Sequence, residues 1–185
     1  MESKYKDKIF TLPNLLSFFR LLLIPLIIWL YRFKKDYFST LIVLLISGAT
    51  DIVDGIIARH CNMISDFGKA FDPIADKLTQ AAMLYCLISR FPYMICVLVL
   101  LVLKEITTGF TALLSIKRTG VVNGAVWHGK LTTVTIYSMI VIHLVCYKIP
   151  SEISLILIGF TIGIMLMSFI MYAVQNIKAI HRTEI

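Results

Sequence analysis

The sequence is poor in charge: 16% of its 185 residues are Asp, Glu, Lys or Arg. A water-soluble domain carries about a quarter. Cysteine is scarce as well. Cys61, Cys86, Cys96 and Cys146 form no C-x-x-C pair, so a disulfide framework, a zinc site and a dithiol redox motif are not expected. There is no P-loop, H-E-x-x-H or G-x-S-x-G pattern. Internal repeats and low-complexity segments are missing too, and no polar stretch is long enough for a second domain. The first apolar run lacks a small-residue cleavage site, which argues against a cleavable signal.

What is abundant is carbon. Hydrophobic residues make up 58% of the chain, in runs of the roughly 17–25 residues that cross a bilayer as helices. The expected fold is all-α, a polytopic membrane bundle of about six transmembrane helices. The spans read as about Asn14–Tyr31, Phe38–Arg59, Asp72–Ser89, Pro92–Ile116, Lys130–Tyr147 and Ser151–Ile177. Residues 1–13 form an N-terminal juxtamembrane segment, a short interfacial stretch with Tyr5, Ile9 and Phe10 between lysines. Residues 14–185 form one membrane domain.

The net charge of +7 comes from 18 Lys+Arg against 11 Asp+Glu. Most of these cations sit at the ends of apolar runs. That placement suits membrane lipids and a phosphorylated substrate, and nucleic acid is not expected. Lys4, Lys6, Lys8, Arg59, Lys69, Lys117, Arg118, Lys178 and Arg182 fall on one side of a six-span layout. Their excess places both termini and the 59–71 loop in the cytoplasm.

Spans two and three hold four carboxylates. Asp51 and Asp54 are spaced i, i+3, and Asp72 and Asp76 are spaced i, i+4. Each pair therefore shares a helix face, about 5–6 Å apart. A short loop makes the two helices antiparallel neighbours, so the pairs can meet. Asp72 also suits a helix N-cap, with Pro73 in the first helical position. A carboxylate inside a span costs roughly 2.5–3.5 kcal/mol, so four together call for cations at the centre. Hard oxygen donors without His or Cys point to Mg²⁺ or Mn²⁺. Gly55 and Ala58 lie one turn apart beside Asp51 and Asp54 and let a base or diphosphate come close. Gly68, at the turn into span three, exposes backbone N–H groups to an anion.

The stretch from Asp51 to Asp76 reads D-x-x-D-G-x-x-A-R, eight residues, then G-x-x-x-D-x-x-x-D. It resembles the signature of the CDP-alcohol phosphatidyltransferase family at every fixed position. The resemblance implies two divalent ions held by Asp51, Asp54 and Asp72, with Asp76 as general base and further metal contact. It implies that Asp51, Asp54, Gly55, Ala58, Arg59 and Gly68 line the CDP pocket. It also implies a homodimer in a bacterial inner membrane, with a site open to the cytoplasm. CDP-diacylglycerol would donate its phosphatidyl group to a phospho-alcohol, releasing CMP.

Asp72-Pro-Ile-Ala-Asp-Lys77 resembles the form in the phosphatidylglycerophosphate synthase and CMP-forming cardiolipin synthase branches. Asn14-Leu-Leu-Ser17-Phe-Phe-Arg20 resembles their N-x-x-T-x-x-R, with Ser for Thr. Asn14, Ser17 and Arg20 share a face, although Arg20 also suits snorkelling to the interface. Lys104-Glu105 stands where glycerophosphate synthases carry Arg-Glu, and Gly129-Lys-Leu-Thr-Thr133 lacks the second lysine of their G-K-x-K-T. Glycerol-3-phosphate is the expected acceptor, with Arg118, Lys130 and Lys104 as the cations for its phosphate. Phosphatidylglycerol, giving cardiolipin, is the alternative acceptor. His128 reads as a loop residue and His143 as an interhelical hydrogen bonder. A cation-coupled transporter is the rival of another class, but its carboxylates belong near the midplane on broken helices. An intramembrane aspartyl protease needs only a dyad and leaves two aspartates without use.

Overall fold

The computed structural model describes the backbone of residues 12–60, 66–119 and 127–181. Among these residues the regular structure is all helical: α1 Leu12–Trp29, α2 Tyr37–His60, α3 Asp66–Ile88, α4 Met94–Thr119, α5 Trp127–Val145 and α6 Ser151–His181. Each expected span overlaps one of these helices. The juxtamembrane segment lies outside the described residues up to Thr11, and α1 already includes Leu12 and Pro13.

Two boundaries differ from the expectation. α3 starts at Asp66, so Asp72 is an interior residue rather than an N-cap, and Pro73 lies inside the helix. A membrane helix tolerates an interior Pro because neighbouring helices and hydroxyls satisfy the freed carbonyl. α5 starts at Trp127, so His128, Gly129 and Lys130 form its first turn rather than a loop.

Contacts divide the chain into two units. The first holds Met1–Cys86 with Leu144–Tyr147, and the second Leu87–His143 with Lys148–Ile185. In the first unit, α1 packs along α2. A single π-helical turn, Leu30–Lys34, joins α1 to the connection, and Lys35 follows with φ 53°. That left-handed conformation reverses the chain at the cost of about 1–2 kcal/mol for a residue with a Cβ. Asp36 then caps α2. The Ser39 N–H donates to Asp36 Oδ1 at 3.0 Å and the Ser39 hydroxyl to Oδ2 at 2.6 Å. Tyr31, Tyr37 and Tyr147 cluster around this turn, with ring centroids 5.1 and 5.9 Å apart. Aromatic groups of this kind favour a membrane–water interface.

In the second unit α4 packs along α6. α5 and α6 are tied at both ends. His128 Nδ1 lies 3.1 Å from the Ser168 hydroxyl, and His143 Nε2 lies 2.9 Å from the Ser154 hydroxyl. The pairing 128 with 168 and 143 with 154 makes the helices antiparallel.

Burial is inverted relative to a water-soluble protein. On α1, Asn14, Ser17 and Arg20 are buried, whereas Leu15, Phe18 and Leu22 are more than half exposed. On α6, Ser154, Thr161 and Ser168 recur every seven residues and are all buried. Ile156, Phe160 and Ile170 face outward. Polar faces in and apolar faces out suit lipid surroundings, where interhelical hydrogen bonds and close packing hold the bundle. Among the described residues, two stretches, Asn14–Lys34 and Ser151–Gln175, are long and apolar enough to cross a membrane. The chain is an all-helical, membrane-associated protein. Cys86, Cys96 and Cys146 are free thiols.

Candidate active site

The site is assembled on the polar face of α1. Ser17 and Arg20 are one helical turn apart, so their side chains leave the helix in nearly the same direction. The Ser17 hydroxyl donates to Asp72 Oδ1 on α3. Arg20 Nη1 pairs with Asp51 Oδ1 on α2 at 2.7 Å. One face of α1 therefore draws together one carboxylate from each aspartate pair. Arg20 is 1% exposed, so it does not snorkel to the interface. A guanidinium that deep is retained because it has a carboxylate partner.

Asp51 has a side chain 47% exposed, while Asp72 and Asp76 are half-buried. Gln80 Nε2, one turn along α3, donates to Asp76 Oδ2 at 3.0 Å. That bond orients the Asp76 carboxylate along α3. The side chains of Asp54, Gly55, Ala58, Arg59 and Gly68 lie outside the described residues, so their part in the expected set rests on backbone position alone. Asp54 is one turn after Asp51 on α2. Gly68 falls in the first turn of α3, among the amides that lack an intrahelical acceptor. Among the described residues, no three carboxylate, His or Cys side chains gather as a metal-binding group. Asp51 and Asp72, each held by a residue of one α1 face, offer carboxylate oxygens, the donor type that suits Mg²⁺ or Mn²⁺.

The expected acceptor cations fare differently from one another. Lys104 is 3% exposed, inside α4. Its Nζ lies 3.1 Å from Glu105 Oε1 and 5.6 Å from the centroid of the Tyr172 ring. Lys130 is exposed on α5, and the Arg118 side chain is outside the described residues. Around Lys104 stands a polar group that local reading of the sequence missed. The His128 ring packs edge-on against Tyr172 at 4.3 Å while bonding Ser168. The position of Ser168, seven residues after Thr161 and fourteen after Ser154, is the signal that marks an inward polar stripe on α6. Gln80 was missed as well, and its signal is the i+4 spacing from Asp76.

Residues 10–174 match the protein family described as CDP-alcohol phosphatidyltransferase. An Aquifex aeolicus protein named CDP-diacylglycerol–glycerol-3-phosphate 3-phosphatidyltransferase is 33% identical over 123 residues, 65% of this chain and 68% of that protein. A Rickettsia typhi protein of the same name is 41% identical over 81 residues, 43% of this chain and 46% of its own length. A Schizosaccharomyces pombe cardiolipin synthase (CMP-forming) / mitochondrial hydrolase fusion protein is 45% identical over 86 residues, 46% of this chain and 14% of the fusion. The chain thus spans under half of the Rickettsia protein and a small part of the yeast one. Because the family match runs from the first helix into the last, this chain belongs to the CDP-alcohol phosphatidyltransferase family.

Proposed function

We propose that this protein transfers the phosphatidyl group of CDP-diacylglycerol to the hydroxyl of glycerol-3-phosphate, releasing CMP. The observation that carries the reading is the meeting of Asp51 and Asp72 on one face of α1, within an unbroken eight-position signature. Asp51, Asp54 and Asp72, with Asp76, would hold two Mg²⁺ or Mn²⁺ ions, which would supply positive charge against the diphosphate and the departing CMP. Arg20 and Ser17 are positioning residues that set the directions of Asp51 and Asp72.

Asp76 accepts the proton of the acceptor hydroxyl. The freed oxygen forms a bond to the lipid-bearing phosphorus, and the bond from that phosphorus to the bridging oxygen of CMP breaks. CMP leaves with the electron pair. Gly55, Ala58, Arg59 and Gly68 line the nucleotide pocket, with the small residues admitting the ribose and diphosphate. Lys104, Lys130 and Arg118 supply positive charge for the acceptor phosphate. Six helices cross the membrane, two chains form a homodimer, and the site opens to the cytoplasm of a bacterial cell.

Phosphatidylglycerol as acceptor is the second reading. Relatives named cardiolipin synthase (CMP-forming) favour it, including one from Streptomyces coelicolor, 40% identical over 77 residues. Purified protein supplied with CDP-diacylglycerol and each acceptor in turn separates the readings on thin-layer chromatograms. Phosphatidylglycerophosphate is the expected product. Product formed only with phosphatidylglycerol would reverse the choice.

A further inference from the structure

The turn after α3 and the opening of α6 enclose a cavity of about 300 Å³. Its residues follow the C-terminal end of α3, whereas Asp72 and Asp76 lie near the N-terminal end of that helix. The wall is divided in character. Arg90, Ser151 and Ser154 provide polar atoms, and Phe91, Leu155 and Ile158 provide carbon.

The polar side favours an anion with a second, hydrogen-donating group. α6 begins at Ser151, and its first internal bond runs from the Ser154 N–H to the Pro150 carbonyl. The amides of residues 151–153 therefore have no acceptor within the helix, and the positive end of its dipole adjoins the cavity. Arg90 adds a full charge, its guanidinium standing 5.6 Å from the Phe91 ring centroid. Ser154 has the opposite polarity. His143 Nδ1 donates to the Met139 carbonyl at 2.8 Å, so Nε2 accepts the Ser154 hydroxyl proton at 2.9 Å. The Ser154 oxygen keeps its lone pairs for a donor. Phe91 meets the same His143 ring edge-on at 4.7 Å, so these walls are built before any ligand arrives.

Size and surroundings identify the ligand class. A cavity of about 300 Å³ equals roughly ten water volumes, far more than one phosphate fills. Tyr93 on its wall is 60% exposed, and Ile95 and Ile156, next in sequence to Met94 and to the lining Leu155, are 45% and 70% exposed. We propose that the cavity seats the headgroup of an anionic, hydroxyl-bearing phospholipid. Its phosphate lies against Arg90 and the first turn of α6. A headgroup hydroxyl donates to Ser154, and the acyl chains run along the exposed apolar surface. This lipid site uses none of the aspartate-site residues and does not depend on the reaction proposed there.

Native mass spectrometry of the full chain released from detergent micelles tests it. The probes are dioleoyl phosphatidylglycerol, dioleoyl phosphatidylcholine and soluble glycerol phosphate. The variants are Arg90→Gln, which removes the charge, and Leu155→Trp, which fills the space from a half-exposed position. The wild-type chain retains phosphatidylglycerol over phosphatidylcholine. Each variant weakens that retention about tenfold or more, as expected for losing a charge-assisted contact or the space itself. Helical circular dichroism stays at the wild-type level in both. Equal retention of phosphatidylglycerol by wild type and both variants would overturn the assignment. So would glycerol phosphate binding as tightly as the lipid.

Discussion

Two side chains of the first helix decide how the carboxylates are held. Arg20 is buried and spends its charge on Asp51 at 2.7 Å, while Ser17 holds Asp72. Groups that orient a metal-binding carboxylate typically matter by about 10–100-fold in activity or metal affinity. Arg20→Gln should therefore slow CMP release by that margin and shift its dependence on Mg²⁺ concentration. Ser17→Ala should do less, because it removes a neutral hydroxyl donor rather than a charged partner. Unchanged metal dependence in Arg20→Gln would reduce Arg20 to a packing role. Gly129 matters through space rather than charge. A Cβ there would collide with the Tyr172 hydroxyl and lie 3.3 Å from the ring carbon bearing it. Gly129→Ala should destabilise the chain by about 1–3 kcal/mol, the usual cost of overpacking. Adding Tyr172→Phe should recover part of that in a denaturation experiment in mixed micelles. A double variant no more stable than Gly129→Ala alone would show that the clash lies elsewhere.

At the scale of elements, most of the helices could be read from hydropathy and punctuation. Phe91-Pro92 and Lys148-Ile149-Pro150 mark real breaks because neither proline continues the preceding helix. The start of α3 could not be read, since Pro73 after Asp72 imitates a helix beginning that the chain passes straight through. His128 was hidden for a different reason. Its partners Ser168 and Tyr172 are distant in sequence, so only packing reveals why a polar residue beside Gly129 is buried. His143, by contrast, has the interhelical bond expected of it. The cap of α2 carries a pH signature. The Ser39 hydroxyl and then its N–H hold the Asp36 carboxyl below its usual value. A carboxyl lowered by folding stabilises the fold above its unfolded value, about 3.9, and that contribution fades as pH falls through the lower, folded value. The stability difference between wild type and Asp36→Asn should be constant from neutral pH down to about 5 and then shrink. The same difference at pH 3 and pH 7, measured by thermal melting, would remove the carboxylate cap from the description of α2.

For the molecule as a whole, the sequence carries the reaction chemistry more clearly than the acceptor. The four aspartates are compressed into 26 residues, where helical spacing alone brings each pair to one face. The face of α1 that unites the pairs lies about thirty residues upstream of Asp51, and its Asn14, Ser17 and Arg20 announce it only by their common register. The cations proposed for the acceptor phosphate, Lys104, Lys130 and Arg118, come from two other helices, and no local pattern fixes a common target for them. The central claim is a metal-dependent transfer at the aspartate site. It is tested most directly by CMP release from CDP-diacylglycerol and glycerol-3-phosphate, using purified protein stripped with a chelator and then given Mg²⁺ or Mn²⁺. Release should vanish with the chelator, return with either metal and be lost in Asp76→Asn even though that protein still binds the nucleotide. CMP release that continues without divalent metal, or that survives Asp76→Asn, would contradict it.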